Sequence, residues 1–352
     1  MISDIGSVSE SRKAFIGQHY RPEVKGGRLG PVVIRSCDSE SQRRRETCEL
    51  PRIRGSVVLG PRSDFVLKLI EMNLEFSDSI RILYYEDLGP GWVVGMSNGM
   101  LHIRTLNEIL EPSLIYVRGT VVEPGHELFQ KMGELYEMIN AWSGRVLCRP
   151  LHQTFNESKP YQSLVSLRRA AAEIPEASVK IIPTQIIKLS RNVSITEECS
   201  ALPTGDLIVK SLSGVRSVVA SRSVFSTWDT ASLRNLPTQF QQRIDGWDLR
   251  VHYFMGKTWG IQVSEKSEVD YRYAESRSEM REFKVPEGLS KFCARVAEIE
   301  GGELIGFDFL VKDGTYYCLE ANPGPGWAWY HENDPCEESF LGAFLSELRD
   351  EK

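Results

Sequence analysis

The sequence has no long uninterrupted apolar run. No segment approaches the ~18 consecutive apolar residues that a membrane-spanning helix needs, and the N-terminal stretch lacks the apolar core of a secretory signal. These two absences predict a cytoplasmic protein that has no membrane partner.

Cysteine is also sparse and scattered. The chain of 352 residues contains 7 cysteines, none of them in a C-x-x-C pair, which argues against a disulfide framework and against a zinc site. The sequence has no internal repeat, no G-x-G-x-x-G fingerprint and no Walker loop, so a dinucleotide-binding or P-loop fold has little support.

Positive charge is not in excess. The formal net charge is -6 at pH 7, which argues against a nucleic-acid partner. Residues 1–54 differ from the rest, because they carry 11 Lys and Arg against 7 Asp and Glu and have no sustained apolar period. We predict that this basic N-terminal segment is poorly ordered. It is either an idle tail or an arm that binds a partner.

The chain beyond residue 54 is patterned like two folded domains. Residues 55–150 combine strand-like runs with two helical patterns, the first of them capped by Ser63, which predicts a small α/β domain. Residues 151–352 contain consecutive strand-like runs with few helices between them. This second pattern predicts antiparallel sheets and an α+β domain.

The stretch "GFDFLVKDGTYYCLEANPGPGWAWY", near the end of the chain, predicts a hairpin that carries three oxygen-bearing side chains among apolar ones. Side chains alternate between the faces of a strand, so Glu320 and Asn322 share a face. A two-residue loop at Asp313 and Gly314 would place Asp308 on the opposite face. For the carboxylates to meet, the sequence therefore requires a three-residue loop with Gly314 in the left-handed conformation.

Two carboxylates and an amide oxygen on one face would form a ligand set that suits Mg²⁺, with phosphate oxygens and water in its other coordination positions. Such a set points to nucleotide chemistry. The alternative is that Asp308 and Glu320 lie on a solvated sheet surface and that the Pro- and Gly-rich segment is only a loop.

Two lysines are candidates for contacts with nucleotide phosphates. Lys159 opens a predicted helix, and Lys210 lies in a predicted strand among apolar residues, where burial without a partner would be costly. The small-residue segment after it, which includes Ser213, could close its backbone N–H groups over phosphates. The alternatives are a solvated Lys159 at a helix start and an edge Lys210 whose charged end reaches solvent.

Asp248 and Arg250 lie two residues apart at the start of a predicted strand and therefore on one face. Arg250 can direct two N–H groups onto a phosphate or an acyl phosphate, and Asp248 can hold it or a ribose hydroxyl. The alternative is a surface ion pair. His252 and His331 could be proposed as bases, but we interpret each as a hydrogen-bonded structural residue.

The order of these motifs resembles that of the ATP-grasp superfamily of carboxylate ligases, over roughly residues 145–329. More narrowly, "NESKPYQSL", "VKSLSG", "FQQRIDGWDLRV", "VDYRY" and "LEANPGPGWAWY" are similar to the microviridin or graspetide type, which macrocyclises ribosomal peptides. The chain departs from the family in having "NPGPGW" where "NPGGQW" is more common. The resemblance implies two α+β subdomains, at about 151–236 and 237–352, that clasp ATP after a small α/β pre-ATP-grasp domain.

The resemblance also implies residue roles. Asp308, Glu320 and Asn322 would bind Mg²⁺, Arg250 would stabilise an acyl phosphate as the catalytic residue, and Arg272 would lie near the substrate carboxylate. The Gln242 carbonyl and the Ile244 N–H would read the adenine edge. The full set assigned to ATP is Lys159, Lys210, Ser213, Gln241, Gln242, Ile244 and Asp248.

The implied activity is ATP-dependent formation of side-chain esters or amides in a precursor peptide with a leader and a core, by a protein that can form a homodimer. Two alternatives stay open. One is a carboxylate-amine ligase that acts on free amino acids or a protein tail, like the ribosomal-protein glutamate ligase and glutathione synthetase families. The other is a non-catalytic nucleotide-binding or scaffold protein.

Overall fold

The computed structural model describes residues 50–74, 79–89, 92–119, 127–150, 165–188, 207–211, 219–221, 237–263, 280–331 and 339–349. Residues 1–49 of the predicted basic segment lie outside these ranges. The first described strand begins at Arg52.

The first sheet is mixed and has a helix on each face. Its order is β2-β1-β5-β4-β3, with β6 also paired to β5. Strand β1 is parallel to β2 and β5, and β5 is parallel to β6, whereas β3 and β4 form an antiparallel hairpin. The elements are β1 (Arg52–Gly60), α1 (Phe65–Asn73), β2 (Ile80–Tyr84), β3 (Val93–Ser97), β4 (Met100–Arg104), β5 (Ile109–Val117), α2 (Glu127–Ala141) and β6 (Arg145–Leu147).

Alternate residues of the parallel strands supply the two cores of this region. Val57 and Leu59 of β1 pack with the buried side of α2, and Val58 packs with α1. A strand that is buried on both faces is expected where helices cover both sides of a parallel sheet. The predicted α/β character of this part of the chain is therefore confirmed, and the part from β1 to β6 is called the first domain below.

Helix α1 begins with an aspartate cap. Asp64 Oδ1 accepts hydrogen bonds from the backbone N–H groups of Val66, at 2.7 Å, and Leu67, at 3.2 Å, which satisfies two donors of the first turn. The predicted cap at Ser63 is wrong by one residue. Ser63 lies in the preceding turn, and the carboxylate that follows it takes the capping position.

The second sheet is antiparallel and has the order β10-β9-β11-β8. It follows helix α3 and the short strand β7, which joins the third sheet. The elements of this part of the chain are α3 (Ser166–Glu173), β7 (Val179–Ile181), β8 (Thr184–Lys188), β9 (Leu207–Ser211), β10 (Val219–Ser221) and β11 (Pro237–Gln242).

The third sheet has the order β14-β13-β12-β15-β16-β7 and is antiparallel except for the β16–β7 pair. One of its faces packs against α4 and α3 through a large apolar cluster, so the predicted α+β organisation of this half is confirmed. Its elements are β12 (Trp247–Phe254), β13 (Lys257–Val263), β14 (Met280–Phe283), α4 (Glu287–Glu300), β15 (Leu304–Lys312) and β16 (Thr315–Asn322).

The last helices join the third sheet to the first. Helices α5 (Ala328–His331) and α6 (Phe340–Arg349) follow β16, and Phe344 of α6 packs edge-on against Tyr116 of β5. Trp327 Nε1 donates to the Tyr116 hydroxyl at 3.1 Å. The chain after β16 is therefore anchored on the first domain. None of the described helices is both long and apolar enough to cross a membrane.

Candidate functional site

Three adjacent strands carry the predicted metal-binding and catalytic residues in register. Arg250 on β12 lies opposite Asp308 on β15, and Asp308 lies opposite Glu320 on β16. In the next row, Asn322 lies opposite Gly306. Residues that pair directly across neighbouring strands project from the same face. The guanidinium, the two carboxylates and the amide therefore share one face of the sheet.

The structure brings Asp308 and Glu320 together, but the predicted three-residue loop is wrong. The hairpin has a two-residue turn, in which Asp313 and Gly314 have φ values of 48° and 72° and the flanking residues pair directly. Positive φ at both positions is typical of the type I′ turn that an Asp-Gly sequence favours. A different feature must therefore place the two carboxylates on the same face of the sheet.

That feature is a β-bulge in β16. Pairing is regular from the turn as far as Phe309 and Cys318, and then shifts so that Asp308 pairs with Glu320. Leu319 is the extra residue of the bulge. Because of it, Cys318 faces the apolar cluster under α4 while Glu320 faces the other side. The sequence gives no local signal for this bulge beyond the even spacing of the two acids.

Hydrogen bonds join the four polar side chains on this face. Arg250 Nη1 donates to Asp308 Oδ1 at 2.7 Å. Asn322 Nδ2 donates to Asp308 Oδ2 at 3.1 Å and to Glu320 Oε1 at 3.2 Å. One amide nitrogen reaches both carboxylates, so the two acidic groups point to a common place. Arg250, Asp308, Glu320 and Asn322 are called the polar cluster below.

The acidic half of the polar cluster fits a magnesium ion. Mg²⁺ takes one or two carboxylates and fills its other positions with phosphate oxygens and water. Asn322 directs its Nδ2 at the acids, and a half-turn of the same amide would present its oxygen instead. Within the described ranges, no three or more His, Cys, Asp or Glu side chains gather in a metal-binding group.

Arg250 is held from three sides. It is 5% exposed, so it is buried and does not lie on a solvated surface. Its Nε donates to His252 Nε2 at 3.1 Å, and its guanidinium carbon lies 5.4 Å from the centre of the Tyr330 ring. Gly306 makes room for it, because a Cβ there would lie 2.3 Å from Nη2. Together with the carboxylate, these contacts fix one orientation of the guanidinium.

Two buried histidines lie behind Arg250. His252 Nδ1 and His331 Nε2 are 2.8 Å apart. Burial and the neighbouring charge of Arg250 hold the pKa of His252 well below its usual range. Its Nε2 accepts from the arginine, so the neutral ring carries its proton on Nδ1. The predicted hydrogen bonding of both histidines is confirmed, and their structural role stays a prediction.

The residues predicted to bind the nucleotide lie mainly on the second sheet. Lys210 is half-buried on β9, and Gln242 ends β11 with Ile244 close behind it. Gln241 is buried, and its Nε2 donates to a threonine hydroxyl on β8 at 3.1 Å, so its side chain supports the sheet. The roles of these residues, and of Asp248 on β12, in binding ATP stay predictions.

Three predicted residues lie outside the described part of the chain, namely Lys159, Ser213 and Arg272. Sequence reasoning also missed two residues that shape the surroundings of Arg250. Gly306 had a usable signal, because a glycine inside a strand often marks a close approach of another group. Tyr330 had none, because its contact with the arginine depends on how the chain turns after β16.

No family model and no curated protein matches the sequence. Solved structures do match. The ATP-grasp ligase PsnB, complexed with minimal precursor, Mg and ADP, has a TM-score of 0.61 at 16% identity, over 83% of this chain and 96% of that chain. The macrocyclase MdnC from Microcystis aeruginosa MRC, bound with precursor peptide MdnA, has a TM-score of 0.61 at 16% identity, over 84% and 100%.

A third match is the RiPP-associated ATP-grasp ligase of Chryseobacterium gregarium, in complex with ADP and a leader and core peptide. Its TM-score is 0.59 at 14% identity, over 85% of this chain and 97% of that chain. The matches extend over almost the whole of each ligase. The chain therefore has the ATP-grasp fold, as its motifs predicted.

Proposed function

We propose that the protein is an ATP-dependent ligase that activates a carboxylate as an acyl phosphate and joins it to a hydroxyl or an amine. The observation that carries this proposal is the polar cluster, in which a buried arginine adjoins two carboxylates and an amide. The ATP-grasp fold supports it, because the similar ligase PsnB was solved with Mg and ADP.

Asp308, Glu320 and Asn322 would hold Mg²⁺, and Lys210, together with Lys159, would hold the nucleotide phosphates. When bound, the ion supplies positive charge that offsets the negative charge of the transferred phosphoryl group. The carboxylates of the cluster would position the ion against that group. The residues at the end of β11 would bind the adenine.

Arg250 would act on the carboxylate substrate. In the first step, a carboxylate oxygen forms a bond to the γ-phosphorus and the bond to ADP breaks. In the second step, the hydroxyl or amine bonds to the carbonyl carbon, phosphate leaves and one proton is released. A guanidinium already held by Asp308 and His252 can stabilise the developing oxyanion with little reorganisation. Such a reaction needs little acid–base apparatus, which agrees with neutral, buried histidines.

We infer that both reacting groups are side chains of one precursor peptide, with a leader that binds and a core that is cyclised. The product would be a macrocyclic ester or amide. This inference rests on the likeness of the fold to ligases solved with precursor peptides and on the "LEANPGPGWAWY" motif.

The experiment is to incubate the full chain with ATP, Mg²⁺ and a precursor peptide encoded beside its gene, and to measure ADP and peptide mass. We expect each new bond to release one ADP and to remove the mass of one water from the peptide. Asp308→Asn should abolish both signals. Asp313→Asn, which changes an exposed turn residue of the same hairpin, is the matched control and should retain them.

Two outcomes would overturn parts of the proposal. An unchanged peptide mass, with ADP release on free amino acids instead, would replace the peptide with the small-molecule acceptor. Absence of ADP release with every carboxylate and amine tested, together with no uptake of magnesium nucleotide, would refute the ligase itself.

A further inference from the structure

The loop that follows Asn322 is held by the first domain. Arg118, at the end of β5, donates through Nη1 to two successive backbone carbonyls of this loop, those of Gly324 at 3.2 Å and Pro325 at 2.7 Å. Trp327, at the end of the loop, donates its indole N–H to Tyr116 of the same strand. One strand of the first domain thus makes three hydrogen bonds to one short loop.

Arg118 is itself fixed before it meets the loop. Its Nε lies 3.1 Å and its Nη2 lies 3.0 Å from Asp64 Oδ2, and both side chains are only 12% exposed. The other oxygen of Asp64 caps α1, so helix, carboxylate and arginine form one chain of contacts. Charge-assisted hydrogen bonds between buried groups are short and directional. Arg118 therefore has one orientation, in which its Nη1 points at the carbonyls of the loop.

The loop connects two parts of the candidate site. It begins directly after Asn322, which bonds both carboxylates, and it leads into α5, whose Tyr330 faces Arg250. The path of the loop thus fixes the places of both the amide and the aromatic ring.

We propose that Arg118 is a positioning residue through which the first domain sets the geometry of the polar cluster. This inference rests on the proposed function, because it concerns binding of magnesium nucleotide at that cluster. Arg118 acts through the loop and touches neither substrate nor ion. Its removal would let the loop shift, so that Asn322 and Tyr330 would no longer be held against the acids and the arginine.

The rival account is that Arg118 only stabilises the fold. Two variants separate the accounts. Arg118→Lys keeps the charge and can bond Asp64, but one ammonium lacks the planar fork that reaches two carbonyls as well. Arg62→Lys is the matched control, because Arg62 lies at the same end of the first sheet but pairs with an exposed acid on the surface.

The first measurement is amide hydrogen exchange without nucleotide, at a temperature at which circular dichroism reports every variant folded. We expect Arg118→Lys to speed exchange in residues 326–331 by about tenfold or more, as local opening becomes easier. Exchange in β1 and α4 should stay as in the parent protein, and Arg62→Lys should leave all segments unchanged. Unchanged exchange in residues 326–331 would overturn the proposal. If Arg118→Lys does not fold, Tyr116→Phe, which frees the indole N–H of Trp327, is measured in the same way.

The second measurement is a double-mutant cycle on magnesium-nucleotide affinity, by calorimetry. We expect Arg118→Lys to weaken binding at least tenfold and Asn322→Ala to weaken it too, with a combined loss well below the product of the two. Residues that act through one another are non-additive. Independent, multiplicative effects in well-folded variants would assign Arg118 a structural role only. A parent protein that takes up no magnesium nucleotide would instead refute the proposed function.

Discussion

The two faces of the last sheet are made from alternate residues of the same strands. On one face, Phe307, Phe309 and Cys318 pack under α4 with exposures of 0 to 1%. On the other face, Asp308 and Glu320 lie in a hydrogen-bonded network with Arg250, and the Asp308 side chain is 24% exposed. Because successive side chains of a strand point to opposite faces, the same strands provide both a buried apolar face that stabilises the fold and a polar face that carries the candidate site.

The bulge keeps this division intact in β16. Without an extra residue, a two-residue turn would send Glu320 to the apolar side and Leu319 to the polar one. With it, Cys318 and Ala321 both stay in the apolar cluster while Glu320 and Asn322 both reach the site.

A second inserted residue should have the largest effect. Insertion of an alanine after Leu319 takes Glu320 out of register with Asp308. With the bulge retained, Glu320 turns to the apolar face, where an unpaired carboxylate is very costly, and in a regular strand it lies one row away, opposite Gly306. We expect loss of magnesium-nucleotide binding and a large drop in melting temperature, as measured by calorimetry and circular dichroism.

Deletion of Leu319 is the paired control for that insertion. The deletion leaves a regular strand in which Asp308 still pairs with Glu320. We therefore expect the shortened chain to keep measurable nucleotide binding. If the deletion destroys binding as completely as the insertion, the facing of the strand is not what the bulge provides.

Phe307→Ala should damage the apolar face alone. Removal of a fully buried ring leaves a cavity and should lower the free energy of unfolding by about 3–5 kcal/mol. Chemical denaturation measures this loss. Below the new melting temperature, nucleotide affinity should stay within a factor of about three of the parent value. A large fall in affinity in the folded variant would mean that the two faces are not separable.

Arg250→Lys should damage the polar face alone. Lysine keeps the charge but cannot bond Asp308, His252 and an oxyanion with one planar group. We expect turnover to fall about 100-fold, as for removal of one oxyanion donor, with little change in stability. Steady-state ADP release measures the change, and Arg104→Lys on the exposed side of β4 is the control. Equal turnover in both variants would remove Arg250 from the catalytic machinery.

The smallest effect is a pH dependence of stability. The pKa of His252 is lowered in the folded state, so below about pH 6.5, the ordinary value, the unfolded chain binds a proton that the folded chain does not. The free energy of unfolding therefore decreases as the pH is lowered through this range. Each pH unit below that value should cost up to about 1.4 kcal/mol. His252→Gln should flatten this slope between pH 6.5 and 5 in denaturation curves. Parallel curves for the two proteins would contradict this assignment.

The antiparallel sheets and the shared face of Glu320 and Asn322 could be predicted from the sequence because they depend on short spacings. Alternation within β16 put Glu320 and Asn322 on one face, and runs of strands indicated antiparallel sheets. We predicted that a three-residue turn would bring Asp308 and Glu320 to one face, whereas the structure has a two-residue turn and a bulge at Leu319, five residues after Gly314. A bulge in a strand rich in apolar residues leaves no distinctive residue type to mark it.

Contacts between distant parts of the chain could not be read in this way. His252 and His331 are separated by 79 positions and Arg118 from Gly324 by 206, and no periodicity links them. The cap of α1 was missed by one residue because Asp64 serves two partners at once, the helix and Arg118. Such contacts form only when helices and strands that are distant in sequence pack together.

We propose that Asp308, Glu320 and Asn322 gather around one magnesium ion. The most direct test is a calorimetric titration of the full chain with ADP in the presence and absence of Mg²⁺, repeated for Asp308→Asn and Asp313→Asn. We expect the parent protein and Asp313→Asn to bind ADP in an Mg²⁺-dependent manner and with equal affinity. Asp308→Asn should weaken this binding at least tenfold. Binding that is independent of Mg²⁺, or equal in all three proteins, would contradict it.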